Sequence, residues 1–170
     1  MQTGRKMKPV IRIVGKSGSG KTAFITSLIK EFRARGLKVA SAKHTLHPVE
    51  LDTPGKDTWK HKEAGAEPVI LFSGRRYFIM GKMEDDRTPD DILNCCPGNF
   101  DIILMEGDHA GSGLKIEVVC EEGGELKCGP EELAAVISGR DPGIGVPCFA
   151  PGDVSSAVDM ILEKLNRNKG

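Results

Sequence analysis

Gly15-Lys16-Ser17-Gly18-Ser19-Gly20-Lys21-Thr22 fits the pattern G-x-x-x-x-G-K-S/T, whose chemistry is the binding of a nucleotide polyphosphate with Mg²⁺. Glycines at 15, 18 and 20 admit backbone dihedrals that a side chain forbids, so successive amide N–H groups can turn inward around phosphate oxygens. Lys21 has the reach for the β- and γ-phosphates, and the Thr22 hydroxyl oxygen is a hard donor suited to Mg²⁺. The candidate phosphate-binding set is therefore Gly15, Lys16, Ser17, Gly18, Ser19, Gly20, Lys21, Thr22 and Ala23, with Lys21 also a catalytic candidate. The competing reading is a glycine-rich strand-to-helix turn in which Lys21 and Thr22 occur by chance, as motif matches sometimes do.

A site of this kind needs a second acidic group at the end of a buried strand beside the glycine loop. Asp101-Ile102-Ile103-Leu104-Met105-Glu106 carries one at each end. Asp101 precedes the apolar run and so belongs to the end away from the phosphates. Glu106 follows it, at the carboxyl end where open α/β sheets bind their ligands, and is the candidate metal and catalytic carboxylate. The plainer reading of Glu106 is a solvated acid at a strand terminus.

The stretch from Lys43 to Lys56 also starts at a strand's carboxyl end. Its cations Lys43, His44 and Lys56 are candidates for phosphate or for a second anionic ligand, and Asp52 is a third candidate, with Thr22 and Glu106, for the Mg²⁺ shell. His44 and His47, three apart, raise a zinc or nickel site, but only His61 follows nearby, and polar loop residues without a role explain them as simply. Asp141, in Ser138-Gly139-Arg140-Asp141, is a carboxylate in a late loop that can accept from guanine's N1 and N2 donors, which adenine lacks. It departs from the usual Asn/Thr-Lys-x-Asp signature and reads equally as an Asp-Pro turn residue.

These residues need a scaffold, and the apolar pattern supplies one. Val10, Ile11, Ile13 and Val14 read as a buried strand interrupted by Arg12. Phe24, Ile25, Leu28, Ile29 and Phe32 recur at helical spacing from Ala23 to Arg35. Lys38 to Ala42 reads as a second strand, and Asp57 as the N-cap of a helix reaching Ala64 and closed by Gly65. Pro68 to Ser73 and Tyr77 to Met80, separated by Gly74-Arg75, predict a hairpin, so the central sheet is expected to be mixed, mostly parallel with an antiparallel portion. Pro89 opens a short helix behind Thr88 and ends it near Cys96-Pro97-Gly98. Phe100 to Met105, Leu114 to Cys120, Leu133 to Ile137 and Val146 to Ala150 are further strands, although 133–137 could be helical. An acidic turn covers Glu121 to Glu125, and Val154 to Asn166 forms a terminal amphipathic helix. The fold class is α/β, a three-layer P-loop NTPase sandwich in one domain of 170 residues, without repeats or linkers.

Lys plus Arg and Asp plus Glu balance at 24 each, so the overall charge suggests neither a nucleic acid nor an anionic membrane as partner. Five cysteines, at 95, 96, 120, 128 and 148, form no C-x-x-C pair and read as reduced thiols, mostly packing residues. The basic start from Met1 to Lys8 is followed by an apolar run too short for a secretory leader, no stretch is long enough for a membrane span, and Met7 is an alternative start. A soluble cytoplasmic protein is the expectation.

The chain resembles the molybdopterin-guanine dinucleotide biosynthesis adaptor family, MobB. The residues that carry the resemblance are Val-Gly-x-Ser-Gly-Ser-Gly-Lys-Thr at 14–22, Lys43-His44, Asp52-x-Pro54-Gly55-Lys56-Asp57, Ala64-Gly65-Ala66 and Glu106-Gly107. The resemblance implies a GTP-binding protein with weak Mg²⁺-dependent GTPase activity that assists a molybdopterin guanylyltransferase in attaching GMP to molybdopterin. It implies GTP and Mg²⁺ as cofactors, a homodimer joined through extended sheets, the transferase as partner, and molybdopterin itself as a candidate ligand. Gly18 to Thr22 then hold phosphate and Mg²⁺, Asp52 and Glu106 stand near the metal, Lys43, His44 and Lys56 line the site, and Lys16 looks like the extra lysine of deviant P-loops that act across a dimer. After Glu106-Gly107 the family tends toward Phe-Lys, whereas this chain has Asp108-His109, so contacts there are open; Lys115 remains a basic neighbour. The alternatives are a P-loop small-molecule kinase or ligase, and a GTP-dependent metallochaperone.

Overall fold

The computed structural model describes residues 8–83, 87–120 and 125–167. The acidic turn read at 121–125, Glu125 excepted, and the alternative start at Met7 lie outside the described residues. The chain divides into two compact units, one built from the part up to Thr45 together with everything from Pro89 onward, the other from Leu46–Thr88.

The larger unit contains β1 (Val10–Val14), α1 (Lys21–Ala34), β2 (Val39–Lys43), α3 (Pro89–Cys95), β5 (Ile102–Glu106), β6 (Leu114–Val118), β7 (Leu133–Ile137), β8 (Cys148–Phe149) and α4 (Val154–Arg167). The smaller one contains α2 (Asp57–Glu63), β3 (Val69–Ser73) and β4 (Arg76–Met80). Six strands pair in the order β2-β5-β1-β6-β7-β8, every pairing parallel. The antiparallel portion is the β3–β4 hairpin, which forms a two-stranded sheet of its own, joined by the expected Gly74-Arg75 loop. Residues 133–137 are a strand, with five buried side chains, four residues paired to β6 and two to β8. Asp57 is the first residue of α2, and Lys56 occupies the cap position with extended backbone.

A central parallel strand is buried on both faces, and the pleat sends alternate side chains to each. Ile11 and Ile13, Ile102 and Leu104, Ile116 and Val118 form the first face and pack with Phe24, Ile25, Leu28 and Phe32 of α1 and with Ala157, Val158 and Ile161 of α4. Phe32 is fully buried at the end of this stripe, and its truncation to Ala should cost roughly 3–5 kcal/mol. Arg35 fastens the C-terminal end of α1 to α4 through Asp159 and through Ser155 Oγ at 2.9 Å. On the second face, Ile103 and Met105 pack with Leu93 of α3, while Val14 and Val136 pack with Cys128 and Leu133. Two helices, a sheet and a layer of α3 with loops make the three layers.

In the smaller unit the hairpin leaves large apolar side chains in solvent. Phe72 is 76% exposed, and Ile70, Leu71, Tyr77, Phe78 and Ile79 are all exposed.

Candidate functional site

The loop that joins β1 to α1 owes its shape to glycine. Gly15 has φ +136°, and a Cβ there would stand 2.3 Å from the Val118 carbonyl oxygen of the neighbouring strand, so no other residue fits. Gly20 caps α1 with φ +95° and accepts from the Phe24 N–H at 3.0 Å, which leaves the first N–H groups of a 14-residue helix unpaired and directed at the loop.

The acid arrives by strand parity. Glu106 shares the face of Ile102 and Leu104, the face covered by α1, and it is the last residue of β5. Its carboxylate therefore meets the first turn of α1: Thr22 Oγ1 donates to Oε1 at 3.0 Å, with Oε2 at 3.2 Å. Lys43 ends β2 with the parity of Val39, on the same side, and its Nζ lies 3.3 Å from Glu106 Oε1. The backbone is closed by the same residues, since the His44 N–H donates to the Glu106 carbonyl at 2.8 Å and Gly107 N–H to the Ile13 carbonyl at 3.1 Å. Gly107 has φ +90°, and a Cβ would sit 2.8 Å from the His44 carbonyl oxygen, so Glu106-Gly107 has a steric reason to end in glycine.

Lys21 Nζ donates to the carbonyls of Gly15 at 3.1 Å and Lys16 at 2.6 Å. Its pKa is lowered, first by burial and then by the positive charges of Lys127 and Lys43, against the raising influence of Glu106. Ser17, Gly18, Gly20, Lys21, Thr22, Ala23, Lys43 and Glu106 line one open cleft of about 340 Å³. An anion with several negative oxygens suits such a cleft, because one carboxylate does not compensate the lysines and the helix end. Thr22 Oγ1 and the Glu106 carboxylate are hard oxygen donors within hydrogen-bond distance of each other, a donor set that fits Mg²⁺.

The remaining candidates are distributed differently. Lys16 and Ser17 are exposed on the loop, and the Ser19 Oγ is buried without a partner. Asp52 and Lys56 belong to the smaller unit, where Asp52 Oδ1 accepts from Thr53 N–H at 2.8 Å and Thr58 Oγ1 at 3.1 Å, while Oδ2 is buried and unpaired. Asp141 is exposed after β7 and accepts from the Gly143 N–H at 2.9 Å, the turn contact of its plainer reading. All five cysteines are free; Cys128 is buried as a packing residue, whereas Cys95 and Cys120 are exposed. Among the described residues no group of three or more His, Cys, Asp or Glu gathers as metal ligands, and no helix is long and apolar enough to cross a membrane.

Sequence reasoning missed what lies on the second face. Arg12 is fully buried, pairs with Asp90 and Asp108, and donates from Nε to the Ser112 carbonyl at 2.7 Å. A Cβ on Gly111 would stand 1.9 Å from its guanidinium. The signal was available: a lone arginine inside an apolar strand needs buried partners, and Asp108 is the residue where the chain departs from Phe-Lys. Glu117, 1% exposed, likewise accepts from the Lys127 N–H at 2.7 Å and the Cys128 N–H at 3.1 Å.

Fold and cleft together define a parallel α/β protein with a glycine loop of Walker A form between its central strand and first helix. A profile of the family described as "MobB: Molybdopterin guanine dinucleotide synthesis protein B" matches residues 10–139, and the chain belongs to that family. It is 30% identical over 176 residues to the molybdopterin-guanine dinucleotide biosynthesis adapter protein of Escherichia coli, covering 98% of this chain and 99% of that one. It is 38% identical to the probable adapter protein of Bacillus subtilis, over 92% of this chain and 93% of that one. A crystal structure of a molybdopterin-guanine biosynthesis protein B superposes with a TM-score of 0.69 at 25% identity, covering 91% of this chain and 98% of that one.

Proposed function

We propose that this protein binds GTP with Mg²⁺ at Gly15–Ala23 and acts as an adapter to the guanylyltransferase that attaches GMP to molybdopterin. The observation that carries the reading is the meeting of Thr22, Glu106 and Lys43 beside Lys21, in a chain of the MobB family. Loop amides of 16–20 and Lys21 would bind the phosphates, Thr22 and Glu106 would hold the Mg²⁺, and Lys43 would add charge at the same end. Bound there, Mg²⁺ would neutralise phosphate charge, and Glu106 would accept a proton or orient water in a weak GTPase reaction. Asp141, exposed after β7, is the carboxylate that favours guanine over adenine.

The exposed hairpin supports a homodimer. Residues that pair across an antiparallel ladder share a face, so Ile70 with Ile79 and Phe72 with Tyr77 form one apolar surface that a second copy would cover. Five free thiols fit the reducing cytoplasm. Titration with GTP, GDP and ATP in the presence of Mg²⁺ tests the nucleotide reading: GTP should bind best, and a clear ATP preference overturns the base assignment. Adding the protein to a purified guanylyltransferase with molybdopterin and GTP should raise the yield of the dinucleotide; no physical association and no gain in yield would remove the adapter role.

A further inference from the structure

Two side chains beside the phosphate loop have no role in the reading above. Glu117 sits on β6 in register with Val14, the residue before Gly15, and its parity turns it to the face opposite α1. It is 1% exposed, and no cation pairs with it among the described residues. A buried carboxylate without a counter-ion is costly unless it accepts several hydrogen bonds, and Glu117 accepts two, from the successive N–H groups of Lys127 and Cys128. Both of its oxygens are thus spent on holding one short stretch of backbone against the carboxyl end of the sheet. A cavity of about 150 Å³ is lined by Lys16, Ser17, Gly18 and Ser19 of the phosphate loop and by Glu117 and Glu125, so the stretch that follows Glu125 starts beside that loop.

The residue held there is a lysine. Among the described residues its ammonium makes no ion pair; burial lowers the pKa of Lys21 and of His109, and the charge of Lys127 lowers each further. Lys21 is thus acted on by two further lysines, Lys127 and Lys43, against the carboxylate of Glu106, and its burial adds to the cost of that crowding. Like charges brought together at the mouth of a phosphate loop raise the free energy until an anion joins them. Cys128 on one side packs its Sγ 3.8 Å from His109 Nδ1, and Asp108 next to that histidine is held by Arg12, so the Lys127 backbone is braced from two directions.

We infer that Lys127 is a further phosphate-binding residue, a cation that contacts the terminal phosphate of a bound nucleoside triphosphate, and that Glu117 is the positioning residue that fixes it there. The inference rests on nucleotide binding at Gly15–Ala23. It assigns to Lys127 the work of telling tri- from diphosphate, since Lys21 and the loop amides serve both ligands.

Calorimetric titration of wild type, Lys127→Ala, Lys127→Arg and Glu117→Gln with Mg²⁺-GTP and with GDP tests it. Lys127→Ala should weaken GTP binding about tenfold, the usual scale for one charge-assisted hydrogen bond, and leave GDP within about twofold. Lys127→Arg should restore most of the difference, and Glu117→Gln should reduce the ratio of GTP to GDP affinity in the same direction. Lys127 is exposed, so its variants should unfold with the wild-type midpoint. Wild-type protein that binds neither nucleotide removes the parent reading. Wild type that binds GTP while Lys127→Ala binds it equally well, or loses GTP and GDP alike, overturns this inference alone.

Discussion

The Thr22 hydroxyl donates to the Glu106 carboxylate at 3.0 Å, tying the first turn of α1 to the last residue of β5 across 84 positions of sequence. Both groups are oxygen ligands by type, and they meet only because β5 lies beside β1 in the sheet. Replacing Glu106 by Gln keeps the shape and removes the charge. GTP affinity should fall only severalfold, whereas Mg²⁺-dependent hydrolysis should fall by about 100-fold, the scale seen when one electrostatic group is taken from a transition state. Single-turnover hydrolysis beside equilibrium titration separates the two, and an equal loss in both would make Glu106 a structural residue.

Lys21→Ala should weaken GTP and GDP together, by about 10- to 100-fold, since a phosphate then loses a charged donor of roughly 1.5–3 kcal/mol. Titration against both nucleotides checks this, and unchanged affinity refutes the site.

The lowered pKa of Lys21 should make nucleotide binding pH-dependent in a definite direction. Burial and neighbouring lysines favour the neutral amine in the free protein, and phosphate charge favours the ammonium in the complex, so binding takes up a proton where the free amine has begun to lose its own. Affinity should therefore be full below the free-state pKa and decline as pH rises through it. Titrations from neutral to alkaline pH should show this decline, and Lys21→Arg should flatten it.

Arg12→Met leaves Asp90 and the buried Asp108 without their cation. Removing one partner from a buried ion network should cost about 3–5 kcal/mol in denaturant unfolding. A double variant, Arg12→Met with Asp108→Asn, should regain part of that loss; a single variant as stable as wild type would show that the network carries little.

If the hairpin joins two copies, a charge on its apolar face should part them. Phe72→Glu and Ile79→Glu should shift the mass measured by sedimentation from dimer to monomer while leaving the sheet of the larger unit intact. A monomeric wild type would remove the dimer proposal.

Much of the fold was legible because it depends on local pattern. The stripe of Phe24, Leu28 and Phe32, the apolar runs at 10–14 and 102–106, and Gly74-Arg75 between two β-rich segments each announce an element whose type is set by period and turn chemistry. Part of the site was legible for the same reason: the glycine loop is contiguous, and Glu106 follows from which end of a strand an acid occupies. The separate hairpin sheet was not legible, since no local pattern says which edge a strand joins.

By itself, the sequence determined the glycine loop, the α/β class and the family, because each is written in adjacent residues or short spacings. Only the tertiary structure decided that Arg12 meets Asp90 and Asp108, that Glu106 meets Thr22 and Lys43, and that Glu117 accepts from the Lys127 N–H. Strand order and the parity of the pleat govern those meetings, and both are fixed by long-range pairing of β1 with β5 and β6 rather than by any neighbour in the chain.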